Sequence, residues 1–295
     1  MDELDAISWA QRLSLFRWAV LAAVLAGLVC PLVGVFLHVR RTSFYGIAMP
    51  QFATAGVVFG FVLLPWWIAN IGLGGVELFE ATHDSHAVLT YHMVWSNLFT
   101  FGGLLALLAL GRRGGSEVGR VAGAFAIASA ATILFGRMSP VGKGFVDELI
   151  AGELLGVGVH QFETLAVVYV LAALLLALFR HELVLVSYDR ESAFVLGKRV
   201  FALETLFTAV TGLVISVGTM VLGPVMLFGL IVLPAIAARA WARSMRTYFV
   251  LACAFGLAAV ALGVTASFEL DLPLGAAITG AAAVLLVPGA LVRRG

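Results

Sequence analysis

Long runs of apolar residues make up most of this chain, and short polar stretches separate them. Nine runs fall at 18–38, 47–69, 91–111, 118–137, 162–180, 203–222, 225–240, 247–268 and 272–292. Each run is continuously apolar instead of apolar on one face only, and about 20 such residues suffice to cross the hydrocarbon of a bilayer. The pattern therefore predicts an all-α, polytopic membrane bundle of eight or nine spans.

One uncharged stretch is too long for a single span. No ionisable residue occurs from Thr205 to Ala238, and a straight helix of that length would be about 50 Å long at a rise of about 1.5 Å per residue. Gly223-Pro224 is the predicted break, because proline removes a helical donor and clashes with the preceding turn. We expect a full span before the break and a shorter helix, which need not cross the bilayer, after it.

Charge is sparse and lies mostly on one side of the predicted bundle. Of the 295 residues, 62% are hydrophobic and 12% are charged, whereas a water-soluble domain carries roughly twice that charged fraction. The positive-inside rule makes the basic loops cytoplasmic, with the C-terminus inside and the N-terminus outside a cell or inner membrane. These loops carry Arg40, Arg41, Arg112, Arg113, Arg180, Arg190, Lys198, Arg199, Arg239, Arg243, Arg246, Arg293 and Arg294. Residues 1–16 are predicted to form an external amphipathic segment and residues 17–295 a single transmembrane domain.

The predicted spans offer little chemistry of their own. They lack titratable groups at mid-membrane depth, where ion-coupled carriers place acidic or basic relays. The sequence also lacks the phosphate-binding loop of nucleotide hydrolases and the motifs of zinc or serine hydrolases. We therefore expect no catalytic residue, no enzyme activity and no bound cofactor in this chain, and a driving energy that a partner supplies. An ion-coupled secondary transporter and a non-transporting membrane scaffold are the alternatives.

A polar insertion at residues 185–202 interrupts the apolar pattern on the predicted cytoplasmic side. Ser187 or Asp189 would cap a short helix that ends near Leu196, and Gly197 would terminate it. Such a helix has two sides, with Ala193 and Leu196 on one and Arg190 and Glu191 on the other. The small side chain of Ala193 would let a partner surface approach closely. A solvated connecting loop is the alternative interpretation.

The same segment carries a resemblance to a known family. Asp189, Glu191, Ala193 and Gly197 match the coupling helix of the metal-type ABC importer permeases, the ABC-3 family, in which an acidic residue precedes Glu-x-Ala-x-x-x-Gly. Blocks at 34–56, 217–239 and 272–280 are similar to other stretches of that family, in the right order. The resemblance covers the chain from about residue 20 onward, and in fold it extends to the vitamin B12 and iron-siderophore importer permeases.

The resemblance implies a membrane-spanning permease that imports a divalent metal ion, with zinc the first candidate and manganese or iron next. It implies a homodimer or a pair of sister permeases, with cytoplasmic ATPase subunits that bind ATP and dock on Asp189–Gly197. An extracytoplasmic metal-binding protein would deliver the ion. The residues expected along the pathway or at its gates are Gln51, Gly223, Pro224 and Pro234.

The first hairpin departs from the family pattern. Where the family has Gly-Asp-x-x-Ser-His, this chain has Ile47 for the aspartate, Pro50 for the serine and Gln51 for the histidine. Isoleucine has no metal-ligating atom and a glutamine amide ligates weakly, so an intramembrane metal site is in doubt. Gln51 is either a polar residue of the pathway or a hydrogen-bonding residue within the bundle.

Candidate metal ligands lie instead in the predicted external loops. The second of these contains Glu77, Glu80, His83, Asp84 and His86, followed by His92. On a helical turn His83 and His86 would share a face, with Glu80 one turn back. Imidazole and carboxylate groups together suit zinc and also bind iron or manganese. A solvated loop is the alternative. Glu153, in the external stretch 147–156, is either a pathway-entrance residue or an interfacial charge.

Overall fold

The computed structural model describes residues 9–71, 86–111, 116–139 and 157–292, and every regular element in these ranges is a helix. The chain forms α1 (Trp9–Leu15), α2 (Arg17–Val39), α3 (Tyr45–Asn70), α4 (His86–Gly111), α5 (Glu117–Met138), α6 (Val159–Leu178), α7 (Arg180–Tyr188), α8 (Arg190–Val195), α9 (Val200–Leu222), α10 (Pro224–Trp241), α11 (Met245–Leu270), α12 (Leu274–Val284) and α13 (Leu286–Val292). The all-α class is confirmed.

Eight of the described helices are long and apolar enough to cross a membrane, namely α2, α3, α4, α5, α6, α9, α10 and α11. They coincide with the first eight apolar runs of the sequence. The ninth run is divided between the short helices α12 and α13. Pro288 accounts for this division, because a proline clashes with the carbonyl four residues earlier, and α12 ends at Val284.

The predicted break in the long uncharged stretch is confirmed. Helix α9 ends at Leu222, and Gly223 takes a φ of +77°, a left-handed value that glycine adopts without a steric penalty. Pro224 then occupies the first turn of α10, where its missing N–H has no helical partner to lose. The 18 residues of α10 are enough to count it among the helices that can span.

Glycines bring the central helices into backbone contact. A Cβ atom on Gly34 of α2 would lie 1.8 Å from the carbonyl oxygen of Ile231 in α10. A Cβ on Gly256 of α11 would lie 2.1 Å from the carbonyl oxygen of Gly27 in α2. Helix α2 therefore lies directly against both α10 and α11, as small residues permit in membrane bundles.

Burial divides the bundle into a centre and a periphery. Helices α2, α3, α9 and α10 are the most buried spans, whereas α5 and α6 are the least. Large apolar side chains cover the outer faces of α5 and α6, among them Ile127, Leu134, Val167 and Leu174. An exterior of this kind fits lipid or another membrane subunit and not water.

Candidate functional site

Residues 185–202, here called the coupling segment, contain the predicted short helix, α8. Its N-cap is Asp189, whose carboxylate accepts a 2.9 Å hydrogen bond from the Ser192 backbone N–H and another from the Ser192 hydroxyl. The two bonds stabilise the ionised carboxylate and hold the pKa of Asp189 below its ordinary value, the hydroxyl bond contributing most. Ser187, the other predicted cap, instead donates to the carbonyl of Leu183.

Gly197 terminates α8, as predicted. It follows the C-cap residue Leu196 and has a φ of +72°. The Gly197 N–H donates to the carbonyl of Phe194 at 3.0 Å, and the Lys198 N–H donates to the carbonyl of Ala193 at 3.1 Å. This pair of bonds is the Schellman pattern. No atom lies within 4 Å of a Cβ built on Gly197. Glycine is therefore required here by the backbone conformation and not by a lack of space.

The predicted orientation of Ala193 is wrong. Its side chain is fully buried and belongs to the same apolar cluster as Leu183 and Val186 of α7 and Val200 of α9. It faces the bundle, whereas Leu196 is exposed. The small residue is needed because α8 lies directly on its two neighbouring helices, so Ala193 positions the helix and does not contact a partner.

The outer side of the coupling segment is apolar. Phe194, Val195, Leu196 and Phe201, here called the docking surface, are 75%, 84%, 65% and 80% exposed. An open cavity of about 780 Å³ lies between α8 and the start of α9, and three of these four side chains line it. Exposed apolar patches rimmed by polar residues are typical of surfaces that contact a protein or a membrane.

Two ion pairs attach the coupling segment to the bundle. Arg190 of α8 contacts Glu204 of α9 at 3.1 Å, and Lys198 contacts Glu182 of α7 at 3.5 Å. All four side chains are partly exposed, so each pair contributes little stability by itself. Their role is to position the coupling segment, because one pair joins it to α9 and the other joins it to α7. Glu191, the glutamate of the family pattern, is exposed.

Arg40, just after the end of α2, joins three elements beneath the coupling segment. Its Nε donates a 2.9 Å hydrogen bond to the Ser187 hydroxyl of α7. Its guanidinium carbon lies 4.2 Å from the centre of the Phe207 ring of α9, within the range of a cation–π interaction. Burial lowers the pKa of Arg40, and the nearby Glu204 carboxylate opposes that shift.

The predicted pathway residues occupy different parts of the bundle. The Gln51 side chain of α3 accepts a 3.4 Å hydrogen bond from Ser129 of α5, so the interpretation of a bond within the bundle is supported. Ile47, one turn earlier, is half-buried. Pro234 is buried inside α10, the helix that begins after the Gly223 break. The described hydrogen bond of Gln51 thus goes to α5 and not to the broken pair α9–α10.

The candidate metal ligands are only partly within the described part of the chain. Glu80, His83, Asp84 and Glu153 lie outside the described residues, and so does the side chain of His86. Among the described residues, no group of three or more His, Cys, Asp or Glu side chains is placed to hold a metal ion.

His92 is not part of the external loop with which the sequence groups it. It belongs to α4, its side chain is buried, and its ring centre lies 4.0 Å from that of Phe61 in α3. Gly60 faces the same imidazole, and a Cβ there would lie 2.8 Å from Nδ1. His92 therefore fills the contact between α3 and α4.

Sequence analysis missed two features of this site. It noted the position of Arg40 but not its burial, because the positive-inside rule counts charges and ignores their depth. It also passed over Phe194, Val195 and Phe201, although aromatic and β-branched residues within a charged cytoplasmic insertion are a readable signal of a binding surface.

Comparison with known proteins gives a family and several relatives. The family described as the ABC 3 transport family matches residues 12–82 and 85–293. The chain is 27% identical over 238 residues to the zinc transport system membrane protein TroC of Treponema pallidum (strain Nichols), covering 80% of this chain and 74% of that protein. It is 23% identical over 272 residues to the manganese import system permease protein ScaB of Streptococcus gordonii, covering 91% and 88%.

A solved structure has the same fold. PsaBC from Streptococcus pneumoniae in complex with Fab aligns with a TM-score of 0.76 at 18% identity, covering 98% of this chain and 93% of that chain. At this level of identity the likeness concerns the arrangement of helices alone.

Proposed function

This chain belongs to the ABC 3 transport family, and on that premise we propose that it is the membrane-spanning permease subunit of an ATP-driven importer of a divalent metal ion. The observation that carries the proposal is the docking surface, an exposed apolar patch on a short helix that is capped at both ends. Apolar side chains exposed to water are unfavourable unless another surface covers them, so a simple connecting loop would not be expected to carry such a patch. An ATPase subunit in the cytoplasm is the partner we propose for it.

The energy source follows from what the chain lacks. Its sequence contains no phosphate-binding loop for ATP and no charge relay at mid-membrane depth. Coupling to an ion gradient would need such a relay. Hydrolysis on a docked partner, transmitted through α8 and Arg40 to α9 and α2, supplies the missing drive. In this proposal the docking surface and the C-terminus lie on the cytoplasmic side of a plasma or inner membrane.

The cargo is proposed from ligand chemistry and from the relatives. TroC is named for zinc and ScaB for manganese. We place zinc first because imidazole and carboxylate side chains are its common ligands. In this proposal an extracytoplasmic binding protein delivers the ion to the loop residues Glu80, His83, Asp84 and His86, and Glu153 lines the entrance.

The path itself is proposed to hold the ion weakly. Gln51 offers an amide oxygen and Ile47 offers no ligand. The chain breaks at Gly223, between α9 and α10, and Pro234 lies inside α10, where a proline removes one helical hydrogen bond. A second permease, either another copy of this chain or a sister subunit, completes the path. Weak sites suit conduction, because an ion must leave as readily as it enters.

Metal uptake in cells tests the proposal. Zinc, manganese and iron accumulation is measured by mass spectrometry in cells that make the wild type, Gly197→Arg or Gly197→Asn. Arginine is strained at a φ of +72° and adds a bulky charge beside the docking surface, whereas asparagine tolerates the left-handed conformation. We expect uptake of one metal to collapse with Gly197→Arg and to persist with Gly197→Asn, at equal amounts of protein in the membrane.

A second variant tests the docking surface without touching the backbone. Phe194→Ser removes an exposed ring, so it should leave the bundle folded while it reduces co-purification of the ATPase. Val159→Ser, at the opposite end of the bundle, is the matched control on an exposed apolar residue. Uptake that follows the proton gradient and persists after deletion of the ATPase would show that the chain is a secondary carrier instead.

A further inference from the structure

A groove opens on the side of the bundle at the level of the coupling segment. Its volume is about 700 Å³, within the range of roughly 300–1,000 Å³ that is usual for small-molecule sites. Leu32 of α2 forms its floor, and Phe36, one turn later, is buried against the ring of Phe249. Helices α6 and α11 both pack on α2 and form its walls. We call this cavity the α2 groove.

The walls of the α2 groove are apolar along the bundle and basic at the end. Leu176 and Ala177 of α6 face Phe249 and Val250 of α11 along the apolar part. Arg180 and His181, at the start of α7, and Arg246, in the first turn of α11, line the basic end. The groove thus joins a hydrocarbon-like channel to a cluster of cationic and hydrogen-bonding groups.

The basic end lies where a membrane meets water. Arg180 follows the last residues of the α6 span, and Arg246 is the second residue of the α11 span. The described ion pairs are His160–Glu163, Arg190–Glu204 and Lys198–Glu182. Neither Arg180 nor Arg246 is engaged in them. Both residues are exposed, so an anion at headgroup depth can reach them.

We propose that the α2 groove binds one anionic phospholipid. Its phosphate lies between Arg180 and Arg246, with His181 beside it, and one acyl chain lies along Leu32, between Ala177 and Val250. Basic pockets between transmembrane helices on the cytoplasmic side are suited to anionic headgroups. The lipid covers α2 where neither wall does, and it joins the start of α7 to the start of α11.

Charge disfavours an alternative occupant, a second copy of this chain. Two-fold packing here would bring the same surface against itself. The charged and titratable residues that line the groove are all basic, so two such surfaces would place like charges near each other and oppose association. A lipid phosphate complements them instead. The proposal does not depend on which cargo the protein carries or on its energy source, since it is tested by lipid binding alone.

Native mass spectrometry of the purified full chain tests the headgroup. Phosphatidylglycerol and phosphatidylcholine with identical acyl chains are titrated against the wild type, Arg180→Gln/Arg246→Gln and the control Arg243→Gln. Arg243 is exposed in the same loop but does not line the groove. We expect the double variant to lose roughly tenfold or more in phosphatidylglycerol affinity, since each basic residue near an anionic headgroup contributes severalfold. Phosphatidylcholine binding should not change.

The acyl chain has its own test. Ala177→Trp fills the groove, whereas Leu178→Trp places the same ring on an exposed position beside it. We expect Ala177→Trp to weaken both phospholipids and Leu178→Trp to weaken neither. Equal phosphatidylglycerol affinity in the wild type and in the double arginine variant would overturn the proposal. Binding of glycerophosphoglycerol, which has no acyl chain, with the same affinity as phosphatidylglycerol would also overturn it.

A labelling experiment on the wild-type chain avoids any folding defect of the variants. Phosphatidylglycerol with a diazirine on its acyl chain is incorporated in membranes that contain the assembled protein and is then photolysed. We expect labels on Leu32 and on peptides from residues 176–184 and 245–250. Labels confined to α4 and α5, or a groove that stays unlabelled because another protein covers it, would refute the assignment.

Discussion

Arg40 and Ser187 connect the end of α2 to the helix that leads into the coupling segment, through a 2.9 Å hydrogen bond from Nε to the hydroxyl oxygen. The hydroxyl in turn donates to the carbonyl of Leu183. The two hydrogen bonds therefore link the end of α2 to the backbone of α7. Arg40 also lies on the Phe207 ring of α9. We therefore expect a displacement of α7 to move both α2 and α9.

Removal of this connection should uncouple transport before it unfolds the bundle. Ser187→Ala deletes one hydrogen bond to a charged group, which contributes about 1.5–3 kcal/mol, and Arg40→Lys keeps the charge but loses the Nε donor. We expect both variants to reach the membrane, to unfold at slightly lower temperature in detergent and to lose metal uptake in parallel. Wild-type uptake in both would show that the contact has no role in coupling.

The N-cap of α8 should be insensitive to pH across the physiological range. The folded-state pKa of Asp189 lies below the ordinary value. Its stabilisation is therefore present above the ordinary carboxyl pKa and is lost only as the pH falls through the lower, folded value. Amide protection of Ala193 and Phe194, corrected for intrinsic exchange, should be constant from about pH 8 to pH 5.

Substitution separates the cap from the charge. Asp189→Ala should reduce that protection at every pH, whereas Asp189→Asn, which caps well without a charge, should retain it. Protection that declines between about pH 7 and pH 6 in the wild type, where a carboxylate with a lowered pKa does not titrate, would contradict the assignment of Asp189 as the cap.

Backbone contact between α2 and α10 predicts a contrast between two glycines. Gly34→Ala places a methyl group 1.8 Å from the Ile231 carbonyl oxygen, so the helices must separate at a cost of about 1–3 kcal/mol or more. Gly102→Ala on α4 meets no atom within 4 Å and should be neutral, or stabilising by up to about 1 kcal/mol through helix propensity. Thermal unfolding in detergent measures both. Similar effects of the two substitutions would show that the close contact is absent.

The first hairpin predicts a gain of metal binding. Ile47 and Gln51 are one turn apart on α3 and both are half-buried. Ile47→Asp/Gln51→His installs the carboxylate and the imidazole of the family pattern described under the sequence analysis. We expect the double variant to bind zinc measurably by calorimetry and to transport it more slowly, because the ion is held. Asp at 47 alone, with Gln51 intact, is the matched control and should bind more weakly.

The spans and the coupling helix were predictable because local rules determine them. Lipid requires continuous apolar runs, and a glycine followed by proline interrupts a helix wherever the two occur. An aspartate three residues before the Ser192 amide and a glycine at 197 similarly define the two ends of α8. Pro288 was an equally local signal, and its effect on the last apolar run was overlooked.

Which side chains point into the bundle was not predictable from such rules. Ala193 is buried because α7 and α9 flank a helix of only six residues, and periodicity does not show which side of so short a helix meets the bundle. Arg40 is buried for a similar reason, since Ser187 and Phe207 come to it from distant parts of the sequence. His92 was grouped with the loop by its place in the sequence, whereas its side chain is buried against Phe61 within the bundle.

The closure of α8 at both ends has a mechanical consequence. A carboxylate cap, a Schellman turn and a side chain fixed in the bundle at Ala193 leave the helix few ways to bend. A segment of low compliance passes a load to its supports instead of absorbing it as deformation. If the proposed partner displaces Phe194 and Val195, we therefore expect α7 and α9 to move with α8. In the proposed function, the stiffness of these six residues would determine how much of the movement of the ATPase reaches the helices in the membrane.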